Sequence, residues 1–233
     1  MDRFRSMHEP SAAVTTELIL RLSRNEISVQ LFERLLRSRD RYFQLEMEAS
    51  HYLHHVVDLL VEYFPDARFI LTLRDPYTWL NSEINQNILT HGSIWDHIQG
   101  LRYGRYGDDF DTQDRVLSRY GGVYPVSTYL RYWSEHIEQV ANVVPGDRLL
   151  ILKTRRLGDQ RHRLARFLNI DSDDIRRGHF WSGSETARRH LDIFTCVDAA
   201  YLQDQVALHC RGLMARFFPE ISSATDALSY RGS

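Results

Sequence analysis

Residues 68–73, Arg-Phe-Ile-Leu-Thr-Leu, constrain the fold more than any other stretch of this chain. The run is short, continuous, apolar and rich in β-formers, which predicts a strand buried on both faces, as in a parallel sheet. It passes without a linker into Arg74-Asp75-Pro76. Asp75 suits a helix N-cap and Pro76 the first helical position, so a helix should begin at once, with Trp79, Leu80, Ile84 and Ile88 on its apolar side. In a parallel sheet ligands collect beyond the carboxyl ends of the strands, which is where Arg74 is delivered. Ser82 follows eight residues later, about two turns along the helix. An arginine fork and a hydroxyl suit a phosphate. The same spacing also admits an arginine paired with a neighbouring carboxylate and a serine that only faces solvent.

The rest of the chain alternates in the same manner. Apolar spacing predicts helices over residues 11–24, 28–37, 51–64, 126–143, 162–170 and 195–217, a short strand over 42–48 and a second buried strand over 148–152. Strands separated by helices predict an α/β fold with a parallel sheet covered by helices on both faces. Residues 91–124, with six glycines and many aromatics, read as an irregular segment of the kind that forms lids or binding loops. With 233 residues and 43% apolar content, the chain is expected to be one domain over 1–233. A net charge of −2 predicts no nucleic-acid partner. Two cysteines, Cys196 and Cys210, make neither a disulfide framework nor a zinc site. No apolar run reaches a membrane span and no signal-like segment opens the chain, so a cytoplasmic location is expected.

The segment PDARFILTLRDPYTWLNS resembles the 3′-phosphate-binding segment of sulfotransferases that use 3′-phosphoadenosine 5′-phosphosulfate (PAPS). In those enzymes a strand ends in Arg-Asp/Asn-Pro, and a serine eight residues after the arginine helps it to hold the 3′-phosphate. The resemblance assigns that role to Arg74 and Ser82. It continues through YLRYWSEHIEQV, the strand RLLILKTRRLGD and a helix ending in RFLNI, and covers about residues 1–170. It implies a three-layer sulfotransferase fold related to the P-loop NTPases. His8-Glu9-Pro10 is similar to the Lys-Glu-Pro segment of glycan sulfotransferases, whose glutamate is the catalytic base; Glu9 is thus the first candidate base and His8 the second. Read without the resemblance, Glu9 only decorates the entry to the first helix. Arg188 and Arg189 fall in the region where the family supplies a further basic loop over the 3′-phosphate, and Arg188 is taken as a cofactor-binding candidate.

Two departures stand out. LEMEASHYL resembles the family's Glu-Lys-Ser/Thr segment without its lysine, leaving Glu48, Ser50 and His51 to line that strand end. The Gly/Ser/Thr-rich loop that cradles the 5′-phosphosulfate is not seen, since the first glycine is Gly92, so the first strand and its loop are expected to be missing, through truncation or through degeneracy. Other candidates are weaker. His51, His54 and His55 fall near one helical face but lack a carboxylate motif, so no metal is expected. The basic run from Lys153 to Arg166 suits a solvated face or an anion, and Tyr129, Tyr132 and Trp133 suit the core. The expected activity is transfer of a sulfuryl group from PAPS to a hydroxyl on a small molecule or glycan, leaving adenosine 3′,5′-bisphosphate. An inactive sulfotransferase-like module that binds nucleotide or a partner is the alternative. A phosphotransferase is disfavoured by the lack of a Walker motif.

Overall fold

A computed structural model describes residues 5–92, 95–175 and 190–230. In chain order the elements are β1 (Ser6–His8), α1 (Ala12–Ser23), α2 (Val29–Phe43), β2 (Met47–Ala49), α3 (Val57–Tyr63), β3 (Phe69–Leu73), α4 (Pro76–Thr90), α5 (Trp95–Tyr103), α6 (Val126–Val143), β4 (Leu149–Lys153), α7 (Arg161–Leu168), α8 (Ile193–Cys196), α9 (Ala199–Phe217) and α10 (Ala224–Ser229). The chain is an α/β protein whose strands pair in parallel. β1 pairs with β2, His8 opposite Ala49, and β3 pairs with β4, Leu73 opposite Lys153.

Among the described residues these are two separate two-stranded sheets, where the sequence predicts a single one. The strand expected over 42–48 shrinks to Met47–Ala49 because α2 runs on through Phe43, and Gln44 then takes the left-handed conformation that ends it. β3 is better covered on one face than on the other: Leu71 and Leu73 are buried, whereas Thr72 is exposed and Ile70 half-buried. Among the described residues β4 is the one strand beside β3, and successive side chains of β3 point to opposite faces. The segment expected to be irregular contains a helix, α5, and single helical turns at 104–106 and 115–119.

The main core joins β3 and β4 to α4, α6 and α9, through Leu80, Ile84, Tyr129, Leu130, Ile137 and Val206 among others. A second cluster, around Ile19, Phe32, Tyr52 and Ile98, joins α1 and α2 to α5. Arg148, just before β4, ties down the end of α3 and the turn after it: its guanidinium donates to the carbonyls of Val61 (3.3 Å), Phe64 (2.6 Å) and Ala67 (2.9 Å). Asp75 caps α4 as expected, accepting from the Thr78 N–H at 2.8 Å, with Pro76 in the first turn. No helix among the described residues is long and apolar enough to cross a membrane.

Candidate functional site

Parallel pairing brings all four strands to their carboxyl ends with polar residues in place. At the end of β3, Arg74 is half-buried. Its Nε donates to Thr78 Oγ1 at 2.9 Å, and that hydroxyl donates in turn to the Asp75 carboxylate. Its carbonyl accepts from the Trp133 indole at 3.1 Å. Ser82 lies on the exposed side of α4, and Thr78 stands midway, at four-residue spacing from each, so the three share one stripe of the helix and its entry. Thr78 carried a signal in that spacing which sequence reasoning missed.

At the end of β4 the basic run divides. Lys153 pairs with Glu220 at 2.9 Å, Arg155 donates to the Ala227 carbonyl at 2.6 Å and also to that of Tyr230, and Thr154 donates to the Leu73 carbonyl at 3.1 Å. The carboxy-terminal residues thus occupy Lys153 and Arg155. A small crevice between the strand ends is lined by Leu73, Arg74, Asp75 and Thr154.

Arg188 lies outside the described residues. The stretch after it is anchored to α4 by two buried asparagines that flank Ser82. Asn85 Oδ1 accepts from the N–H groups of His190 (2.8 Å) and Leu191 (3.1 Å), and Asn81 Oδ1 accepts from that of Ile193 (3.0 Å).

The other strand pair ends in an acid and an imidazole. The Glu9 N–H continues the ladder by donating to the Ala49 carbonyl at 2.9 Å. The chain then turns sharply: Glu9 and Ser11 both have left-handed φ values of 50° and 52°, a conformation costing about 1–3 kcal/mol for each such residue. This directs the Glu9 carboxylate, 18% exposed, onto Nδ1 of His51, which is 41% exposed. His8, the second candidate, is 79% exposed, with Nδ1 4.0 Å from Glu9. Glu48 does not line an open site as expected: Arg39 takes it in a two-pronged pair at 2.6 and 2.8 Å, and Ser50 donates to it as well.

Behind His51 is a histidine and tyrosine cluster. The His54 ring centroid lies 3.9 Å from that of His55 and 4.2 Å from that of His136. His54 Nδ1 is 2.7 Å from the His51 carbonyl and must donate to it, which leaves Nε2 to accept from the Tyr132 hydroxyl at 3.1 Å. Both nitrogens are satisfied by the neutral ring. Burial, followed by the neighbouring cation Arg102, pushes His136 down to about 4 and His55 to about 3, and burial with His136 and His55 beside it pushes His54 well below the usual histidine range. Although burial opposes its charge, Tyr132, Tyr103 and Glu83 together raise Arg102; Glu83 accepts from Arg102 at 3.2 Å and from the Tyr103 hydroxyl at 2.6 Å. His51 is lowered by burial and by Arg102 against the pull of Glu9 and Glu83. No group of three His, Cys, Asp or Glu side chains among the described residues is placed to hold a metal ion.

The arrangement offers a proton acceptor at one strand pair and a cation with a hydroxyl at the other. The sequence model of a family described as a sulfotransferase domain matches residues 24–175, a span that includes His51, Arg74 and Ser82 and begins after Glu9. The chain is also 33% identical over 104 residues to the Ava biosynthesis cluster protein M of Aspergillus versicolor; that match covers 40% of this chain and 39% of the length of the relative.

Proposed function

The chain belongs to the sulfotransferase family, and on that premise we propose that it transfers a sulfuryl group from PAPS to a hydroxyl acceptor. The observation that supports the reading is the contact of Glu9 with His51 where β1 and β2 end; the second parallel pair, β3 and β4, carries Arg74 and Thr154 at its own carboxyl ends. When bound, PAPS supplies the sulfuryl group on a leaving adenosine 3′,5′-bisphosphate. Arg74 and Ser82 hold the 3′-phosphate, with Thr78 orienting the Arg74 guanidinium. Arg188 joins them; the anchoring of residues 190–193 on either side of Ser82 supports this role.

The acceptor oxygen forms its bond to sulfur as the bond from sulfur to the phosphate oxygen breaks, and the hydroxyl proton leaves to Nε2 of His51. Glu9 accepts from Nδ1–H, so it holds the tautomer in which Nε2 is a base and stabilises the imidazolium that forms. His8, turned to solvent, takes no part. Most of the remaining rate enhancement comes from positioning and charge. The relative's name as a biosynthesis cluster protein favours a small biosynthetic hydroxyl compound over a glycan.

Calorimetric titration with adenosine 3′,5′-bisphosphate tests the nucleotide site. Arg74→Ala should weaken binding at least about tenfold, the loss of a charge-assisted contact; an unchanged dissociation constant would sink the assignment. Incubation with radiolabelled PAPS and a panel of hydroxyl compounds tests turnover. Nucleotide binding without transfer to any acceptor would instead describe a binding module.

A further inference from the structure

We propose that Arg39 is a positioning residue for the base: it clamps the turn that carries Glu9 so that the carboxylate meets His51. The inference rests on the functional reading above for its catalytic meaning and on geometry for its structural content.

Arg39 comes from α2, 29 residues along the chain from the turn it holds. It is only 13% exposed, and one nitrogen of its fork donates both to the Pro10 carbonyl at 2.9 Å and to Glu48 Oε1 at 2.6 Å, while the other donates to Glu48 Oε2 at 2.8 Å. Pro10 is the residue between the two left-handed positions, Glu9 and Ser11, and its carbonyl also receives the buried Tyr52 hydroxyl at 3.4 Å. Glu48 belongs to β2, whose next residue, Ala49, accepts the Glu9 N–H, and whose continuation is His51.

One guanidinium therefore ties the Glu9 turn to the strand that leads to His51. Side chains other than glycine do not adopt two left-handed conformations so close together unless the surroundings impose them. Arg39 is the charged group that does so, and its planar fork can satisfy a carboxylate and a carbonyl together where a lysine cannot.

The test reads His51 directly. Proton-decoupled NMR of the full chain with labelled histidines follows the His51 titration, assigned with His51→Gln. Besides Glu9, the charged groups near this imidazole are Arg102 from α5 and Glu83 from α4, with His55 beyond them, and none is altered in the variants. The double variant Arg39→Met/Glu48→Gln removes the clamp without leaving a buried charge unpaired.

If the clamp acts as proposed, the His51 midpoint falls to the value seen in Glu9→Gln, and kcat for sulfuryl transfer drops about tenfold while KM stays within about twofold. Arg39→Lys, which keeps the charge and the ion pair, should give a titration between the two and guards against failure of the double variant to fold. A His51 midpoint unchanged from the native chain in either folded variant overturns the inference. Absence of transfer by the native chain overturns the functional reading alone, because the titration still decides whether Arg39 places Glu9.

Discussion

The indole N–H of Trp133 on α6 donates to the carbonyl of Arg74 at 3.1 Å. That carbonyl sits at a junction where a strand has ended and a helix has just begun, and an indole reaching across from the core supplies a partner there. Trp133→Phe retains most of the apolar burial and removes the donor. It should destabilise the fold by about 0.5–1.5 kcal/mol in a urea titration, the net worth of a typical hydrogen bond. Adenosine 3′,5′-bisphosphate should bind it less well than the native chain but better than Arg74→Ala.

The pH dependence of turnover should report His51. Burial and Arg102 lower its pKa below the ordinary 6.5 while Glu9 raises it. A base works deprotonated, so the native rate should climb through the acid limb and level off by neutral pH. Glu9→Gln takes away the raising interaction, so the limb should move to lower pH as the plateau falls. A limb displaced to higher pH would contradict the proposed pairing.

Stability should fall in acid for a related reason. His54, His55 and His136 have folded pKa values below the unfolded value of 6.5, with His136 at about 4 and His55 at about 3. Above pH 6.5 neither state binds the protons. Below it the unfolded chain binds them first, so stability is lost from pH 6.5 down toward 4, each histidine steepening the slope by at most about 1.4 kcal/mol per pH unit. Thermal melts at pH 7.5, 6 and 5 should show a falling midpoint, and His136→Gln should flatten the decline.

Gly121 makes room for His91. A Cβ on Gly121 would overlap the His91 imidazole, and the next residue, Gly122, has a φ of 72° with His91 Nδ1 3.0 Å from its own would-be Cβ. Gly121→Ala should cost about 0.5 kcal/mol, since Gly121 is exposed and the half-exposed imidazole can swing aside. His91→Ala should restore most of that loss in the double variant, as judged by urea unfolding; additive losses would mean that the imidazole is not what the glycine accommodates.

Local chemistry was legible wherever a single segment carried it. The strand before Arg74, the Asp75 cap, the helix through Ile88 and the helix over 126–143 follow from patterns of apolar residues and helix-start signals, which act over a few residues. The resemblance in the Arg74 segment led to the correct family because it too is contiguous. β1 was not foreseen. Its three residues are all exposed, so no apolar alternation marks them, and they form a strand only because Met47–Ala49 lies beside them. The same holds for the opposite error at Tyr42 and Phe43, where a β-prone composition was overridden by the continuation of α2.

The sequence alone determined the α/β character and the strand-to-helix unit that presents Arg74 and Ser82, since each depends on neighbours in the chain. Tertiary structure decided the partners: that Glu9 meets His51, that Arg39 takes Glu48, that Lys153 and Arg155 are occupied by residues 220–230, and that three histidines are kept neutral beside a buried arginine. The physical reason is range. Backbone conformation answers to side chains a turn or a strand pleat away, whereas an ion pair or a shifted pKa depends on which groups from distant segments share a desolvated space, and only packing brings them there.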